Sequence, residues 1–228
     1  MNDFQGFGST ARKWFQGLEA DNSREYFAAT RAVFETSVRG QMEALLAEQA
    51  AALGGRPKLF RQNRDIRFST DKSPYKTNTY GVIQGSPLAA RGLYASISAA
   101  GLVAGSGYHV LARDQLARYR DAVVADAGEE LEQLVASAVD SGLELWGDSL
   151  KTAPRGYPLD SPRIALLRRT SLALGATLPF GRGIRRDRAL AFTTTTWQAA
   201  APVTGWLDRH VGESALALPH ARSGGRRG

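Results

Sequence analysis

Residues 61–77 bring together side chains that could do binding chemistry. Guanidinium groups present planar forks of N–H donors that fit a carboxylate or a phosphate, and lysine ammonium groups add point charges. Two acids cannot neutralise five bases, so this segment is predicted to bind an anionic small molecule or peptide, such as one bearing phosphate. The bases are Arg61, Arg64, Arg67, Lys72 and Lys76, and the acids are Asp65 and Asp71.

The chain's net charge of +7 is unevenly distributed. Residues 56–76 contain seven bases and two acids, an excess of five positive charges. Residues 219–228 form a basic Gly/Arg tail, predicted to be disordered, that carries Arg222, Arg226 and Arg227 and no acid. The rest of the chain is therefore close to neutral, which focuses the attraction for an anion on one segment.

Local patterns predict how the segment presents its side chains. If residues 64–69 are extended, Ile66 and Phe68 point to one side and anchor the strand, while the polar residues between them point to the other. Ser73 followed by Pro74 fits the first two positions of a type I turn. Tyr75 within that turn completes the predicted ligand-binding set on this segment.

Two other functions fit the same residues. A nucleic-acid-binding protein would need the same positive charge, with Phe68, Tyr75 and Tyr80 stacking on bases. A structural or partner-interaction module would use Asp65 and Asp71 only to pair with the bases and brace the fold. We rank nucleic acid second because the bases do not repeat as a stripe.

Enzymatic activity stays open on the sequence. Asp65 or Asp71 could serve as a general base and Tyr75 as a general acid, but no Gly-x-Ser-x-Gly nucleophile motif is present. The chain has no cysteine, and its three histidines are too scattered for metal-ligand spacing. The sequence therefore predicts no metal and no cofactor.

The pattern along the chain predicts one α+β domain over residues 1–218, with an antiparallel sheet packed against several helices. Asn22 and Glu25 have capping-box spacing and would begin a long amphipathic helix that ends at Gly54. A helix is also predicted to start at Ser161 and Pro162. Further helices are expected at 9–20, from 113, after Gly128, at 188–200 and at 203–211, and strands at 80–83, 93–98, 102–110 and 143–146.

No window reaches the run of about 20 apolar residues that spans a bilayer, so no membrane association is expected. The first fifteen residues lack the basic start and apolar stretch of a secretory signal, which favours a cytoplasmic location. Nothing in the sequence indicates an oligomeric state.

The residues 61–77, together with residues 4–7, 22–27 and 150–157, resemble the family known as domain of unknown function 2461. The resemblance implies an α+β domain without an established reaction. It also suggests that the second polar segment meets the first in space, which adds Lys151 and Arg155 to the site. Three positions depart from the family pattern: Tyr26 replaces a usual tryptophan, Thr70 a common lysine and Asn78 a frequent histidine, which weakens a case for histidine chemistry.

Overall fold

The computed structural model describes residues 3–67 and 69–216. Its centre is a six-stranded antiparallel sheet with the strand order β2-β3-β4-β5-β7-β6, and a two-stranded sheet pairs β1 with β8. This confirms the α+β class. The strands are β1 Gly6–Phe7, β2 Arg56–Leu59, β3 Asn78–Gln84, β4 Leu93–Ser98, β5 Gly101–Tyr108, β6 Glu144–Trp146, β7 Leu172–Pro179 and β8 Ile184–Arg185.

Helices α4 and α8 pack against one face of the sheet, α4 on β2, β3 and β4 and α8 on β5 and β7. That face carries Ile83, Ala95 and Ala104, which are buried. The helices are α1 Ser9–Ala20, α2 Arg24–Ala29, α3 Arg31–Val33, a π-helical segment Phe34–Arg39, α4 Gly40–Leu53, α5 Arg113–Val124, α6 Ala127–Asp140, α7 Ile164–Leu167 and α8 Arg186–His210.

The long helix predicted from Asn22 is interrupted rather than continuous. Ser23, not Asn22, is the N-cap, because its hydroxyl accepts a hydrogen bond from the Tyr26 N–H at 3.0 Å. Helix α2 ends at Thr30, whose hydroxyl donates to the Tyr26 carbonyl and accepts from the Trp14 indole. The predicted apolar face is buried from Phe34 to Leu46, whereas Tyr26 and Phe27 are only partly buried. Helix α4 ends at Gly54, which has a φ of 74°.

The C-terminal half differs from the predictions in three places. Residues 186–210 form the single helix α8 with Pro202 inside it, where two helices were predicted. The expected helix start at Ser161 is wrong, since α7 begins at Ile164 after Arg163 in a left-handed conformation. Strand β7 lies between β5 and β6 and was not predicted.

Glycines at the centre of the sheet allow close packing. A Cβ on Gly105 or Gly175 would lie 2.4 Å or 2.0 Å from the Trp146 ring, so only glycine lets that ring lie on the sheet. In the described part of the chain no helix is both long and apolar enough to cross a membrane. The predicted tail at 219–228 lies outside the described residues.

Candidate functional site

Residues 61–77 connect edge strand β2 to β3. The predicted extended conformation of residues 64–69 is wrong, because the chain turns there and the Ser69 N–H donates to the Ile66 carbonyl at 3.3 Å. The predicted type I turn is also wrong: the Lys76 N–H donates to the Gln62 carbonyl at 3.0 Å, and Asn63 pairs with Tyr75 in an antiparallel bridge. Phe68 lies outside the described residues. The segment is thus a loop closed by a short ladder.

Most bases of the segment contact groups within it. Arg67 forms a bidentate pair with Asp65, with N–O distances of 3.0 and 2.7 Å. Arg64 pairs with Asp71. Lys72 donates to the Ile66 carbonyl at 3.1 Å. The two acids therefore hold arginines in position, as the sequence predicted.

These contacts keep both carboxylates ionised. The hydrogen bonds from Arg67 lower the pKa of Asp65 to about 2. The pKa of Asp71 is also well below its usual range, chiefly because the Ser73 hydroxyl and N–H donate to it and then because of Arg64. Carboxylates with such low pKa values are weak bases, so the contacts do not favour general-base catalysis by either residue.

The pKa of Asp65 can be measured directly. In the wild type we expect the Asp65 carboxyl carbon to titrate near pH 2 in a ¹³C NMR experiment, because protonation breaks the pair with Arg67. In Arg67→Ala the pKa should rise towards the ordinary value of about 3.9. The exposed Arg56→Ala serves as the control. An unchanged titration in Arg67→Ala would contradict the assigned pair.

Lys76 and Arg61 come from opposite ends of residues 61–77 and lie together where the loop closes. The Lys76 ammonium donates to the Arg61 carbonyl and sits 4.9 Å from the centre of the Tyr80 ring. Burial, and then the positive charge of Arg61, lower the pKa of Lys76. The Arg61 guanidinium is exposed and makes no hydrogen bond or ion pair with any described residue.

Tyr75 and Tyr80, two of the three rings proposed for base stacking, already have partners. Tyr75 stacks on Phe27 with the ring centres 4.2 Å apart, and Tyr80 stacks on Phe60 at 4.9 Å. Lys58 lies 5.3 Å from the centre of the Phe60 ring. Because these rings already stack within the protein, a nucleic-acid base would have to displace one of these contacts.

Two amide side chains that the sequence reasoning missed anchor the segment. Buried Gln62 donates to the carbonyls of Lys76 at 2.5 Å and Asn78 at 3.2 Å, and accepts from the Thr79 hydroxyl at 2.8 Å. Asn22 donates to the Tyr75 carbonyl and accepts from the Tyr75 N–H. An amide side chain can donate and accept hydrogen bonds at once, which suits this role. In a segment with so many charged residues, nothing in the sequence distinguished these two amides as anchors.

The predicted meeting of the two polar segments is not found. Lys151 and Arg155 follow β6, at the opposite edge of the sheet from β2. Five strand spacings of about 4.8 Å separate those edges by about 24 Å. In the strand register, the end of β6 pairs with the start of β7. Residues 61–77 lie at the opposite end of the strands, where β7 finishes. Lys151 and Arg155 are therefore not part of the proposed site.

A groove of about 1490 Å³ runs between the β2 edge and the helices. The apolar part of its lining, here called its floor, includes the partly exposed Phe27, Leu59 and Phe60 and the nearly fully buried Phe34 and Leu46. Arg61 lines its strand side, and Lys72 and Lys76 do not line it. Residues of the helical side and the chain start also line it, namely Asp3, Phe4, Gln5, Phe27, Arg31, Glu35, Arg39, Gly40, Glu43, Ala44, Ala47, Glu48, Ala51 and Arg186.

The arginines on the helical side of the groove are paired. Arg39 contacts Glu35 at 3.3 Å and Glu43 at 3.0 Å. Arg186 pairs with Glu48. The remaining one, Arg31, lies 4.0 Å from Glu35. Of the groove's arginines, Arg61 alone makes no ion pair with the described residues.

A smaller cavity of about 310 Å³ lies within the segment, lined by Arg64, Asp71 and Tyr75 among others. Within its lining, Asp71 already bonds to Arg64 and Ser73, and Asn22 bonds to the Tyr75 backbone. In the described ranges, no group of three or more acidic or histidine side chains could hold a metal ion. The groove is therefore the candidate site.

Comparison with known proteins identifies relatives by family only. A family model described as a conserved hypothetical protein, DUF2461, matches residues 10–206. A search of curated proteins finds no match. The match covers most of the chain, including most of α1, the strand and helical sides of the groove, the loop after β2 and most of α8. It confirms the resemblance drawn from the sequence: the chain belongs to the DUF2461 family of conserved hypothetical proteins.

Proposed function

We propose that the groove beside β2 binds an anionic ligand with an apolar body, and that Arg61 contacts the anionic group. The observation that carries this proposal is an exposed guanidinium, without an ion-pair partner among the described residues, at the side of a large apolar groove. A free guanidinium can form a bidentate contact with a carboxylate or a phosphate. The proposal keeps the anionic ligand that the sequence predicted and assigns the contact with its charge to Arg61.

The other bases support this choice because they are already engaged. Arg64 and Arg67 would have to give up Asp71 and Asp65 before they could bind a ligand. Lys76 is held at the Arg61 carbonyl, where it adds positive potential next to the guanidinium. An anion at Arg61 would therefore offset a repulsion between two cations without breaking an existing ion pair.

The floor of the groove favours a ligand that is more than a bare ion. Phe27, Leu59 and Phe60 offer apolar surface, and burial of apolar ligand surface contributes about 25 cal/mol per Å². The groove also exceeds the roughly 300–1,000 Å³ of ordinary small-molecule sites. A ligand with an extended apolar body fits these features better than a small phosphorylated metabolite.

Arg61→Ala tests the proposal against Arg56→Ala, which removes an exposed arginine at the start of β2, outside the groove. The probes are phosphorylated metabolites, apolar carboxylates and acidic peptides, measured by isothermal calorimetry. We expect Arg61→Ala to weaken binding by about 10- to 100-fold, because a charge-assisted hydrogen bond contributes about 1.5–3 kcal/mol. Equal affinities in the two variants would overturn the proposal.

Nucleic-acid binding stays a second hypothesis, motivated by the net charge of +7. It is tested by titrating a single-stranded oligonucleotide at several salt concentrations. If phosphate contacts carry the binding, the affinity should fall steeply as salt rises, because counterions are released. Absence of binding at low salt would rule this hypothesis out.

A further inference from the structure

Strand β2 is the edge of the six-stranded sheet, and it pairs with β3 alone. In an antiparallel pair, alternate residues direct their N–H and C=O groups to the neighbouring strand or away from it. The Phe60 N–H donates to the Tyr80 carbonyl at 3.0 Å, so Phe60 faces β3. Leu59, opposite Gly81, therefore directs both backbone groups away from the sheet.

A second outward-facing residue follows β2. The chain bends at Gln62, and the pairing register shifts between Phe60, opposite Tyr80, and Asn63, opposite Tyr75. The Arg64 N–H donates to the Pro74 carbonyl and the Lys76 N–H to the Gln62 carbonyl, so the backbone groups of Asn63 point away from Tyr75. Arg61 lies between Leu59 and Asn63, and its carbonyl accepts a hydrogen bond from the Lys76 ammonium.

The outward edge lies along the groove. Pro57, Leu59, Arg61 and Asn63 all line it, and so do Phe60 and Gln62 between them. The opposite wall is the π-helical segment and α4. A sheet edge that faces a helix across an apolar groove is the arrangement in which an extended peptide adds a strand to a sheet.

We propose that the ligand of the groove is an extended peptide that pairs with the outer edge of β2 and places an acidic side chain against Arg61. This inference rests on the proposed function and names the ligand class of the same site. Strand pairing supplies partners for the outward backbone groups. Alternate apolar side chains of the peptide would pack on the groove floor, since side chains alternate along a strand.

Arg61 favours an acidic residue at the peptide position opposite it. On the strand side of the groove Arg61 is a cation without an ion-pair partner among the described residues, whereas the arginines on the helical side are paired with glutamates. A glutamate or aspartate opposite Arg61 therefore gains an ion pair without displacing one. Pro57 lacks an N–H, so it cannot donate to a bound strand, and pairing should begin at Leu59.

The test uses peptides of about eight residues, a usual strand length, with an acetylated N-terminus and an amidated C-terminus. Valine occupies alternate positions of each peptide, and a central residue is glutamate. A matched series has glutamine in place of glutamate. We expect the glutamate peptides to bind wild type about tenfold more tightly than the glutamine peptides, and this preference to disappear in Arg61→Ala but not in Arg56→Ala. If Arg61→Ala kept the preference for glutamate, as Arg56→Ala is expected to, the proposed function itself would be overturned.

Methylation of single peptide amides then tests strand pairing without altering the protein. In a bound strand, methyl groups on alternate amides would face β2 and block hydrogen bonds, and those on the other amides would not. We expect about tenfold weaker binding at every second position and little change between them. A uniform response along the peptide, with the glutamate preference intact, would overturn strand pairing and leave the anion site standing.

Amide hydrogen exchange supplies an independent readout on the protein. The N–H groups of Leu59 and Asn63 should exchange more slowly when the glutamate peptide is bound. The Phe60 N–H, already bonded to Tyr80, should change little and is the internal control. Protection of neither Leu59 nor Asn63 at saturating peptide would contradict the proposal.

Discussion

Trp197→Ala is expected to lower the free energy of unfolding by about 3–5 kcal/mol, the usual cost of truncating a large buried aromatic side chain. Trp197 belongs to α8 and is 0% exposed in the cluster that includes Leu93 and Ala95 of β4. Its indole N–H donates to the Tyr94 carbonyl at 3.0 Å. Urea unfolding followed by circular dichroism measures the change.

Trp197→Phe is the matched variant, because it keeps an aromatic ring in the core and removes the indole donor. We expect a smaller loss than for alanine, since most of the apolar volume stays. A cost below about 1 kcal/mol for Trp197→Ala would mean that α8 does not pack on the sheet as described.

Gln62→Ala is expected to cost about 2–4 kcal/mol of unfolding free energy. The change leaves the buried Thr79 hydroxyl and two carbonyls without the amide that they share. An unsatisfied buried polar group costs about 1–3 kcal/mol. Because Gln62 ties residues 61–77 to β3, hydrogen exchange of the Lys76 N–H should also become faster in this variant.

Asn63→Ala gives the local control. Asn63 is exposed, it makes no side-chain hydrogen bond to the described residues, and its backbone pairing with Tyr75 does not depend on its amide. We expect a change within about 0.5 kcal/mol. Equal costs for the two substitutions would show that the loop, and not the Gln62 amide, carries the stability.

Elements with strong local patterns were predictable from the sequence. The composition of β3 and β4 marked strands, a further strand was expected at 102–110 where β5 lies, and Gly54 marked the end of α4. Strand β7 and the continuity of α8 were not predictable. Glycine and alanine in β7 have low strand propensity, and Pro202 usually ends a helix, so both depend on packing against β5.

The site was predictable in part. The density of charged residues drew attention to residues 61–77. The pairing of their acids with arginines could also be predicted, because those residues lie close together along the chain. Which base remained available depended on contacts across the fold. The groove joins Arg61 to helices more than ten residues away in sequence, and strand order separates Lys151 from Arg61. Neither fact has a local signal.

Amide chemical-shift mapping of ¹⁵N-labelled protein with the glutamate peptide tests the central claim most directly. We expect the largest shifts at Leu59, Arg61 and Ala47, which line the two sides of the groove, and no such shifts for Lys151 and Arg155. Saturating shifts confined to residues 151–155, or to Lys72 and its neighbours outside the groove, would contradict the assignment of the groove as the binding site.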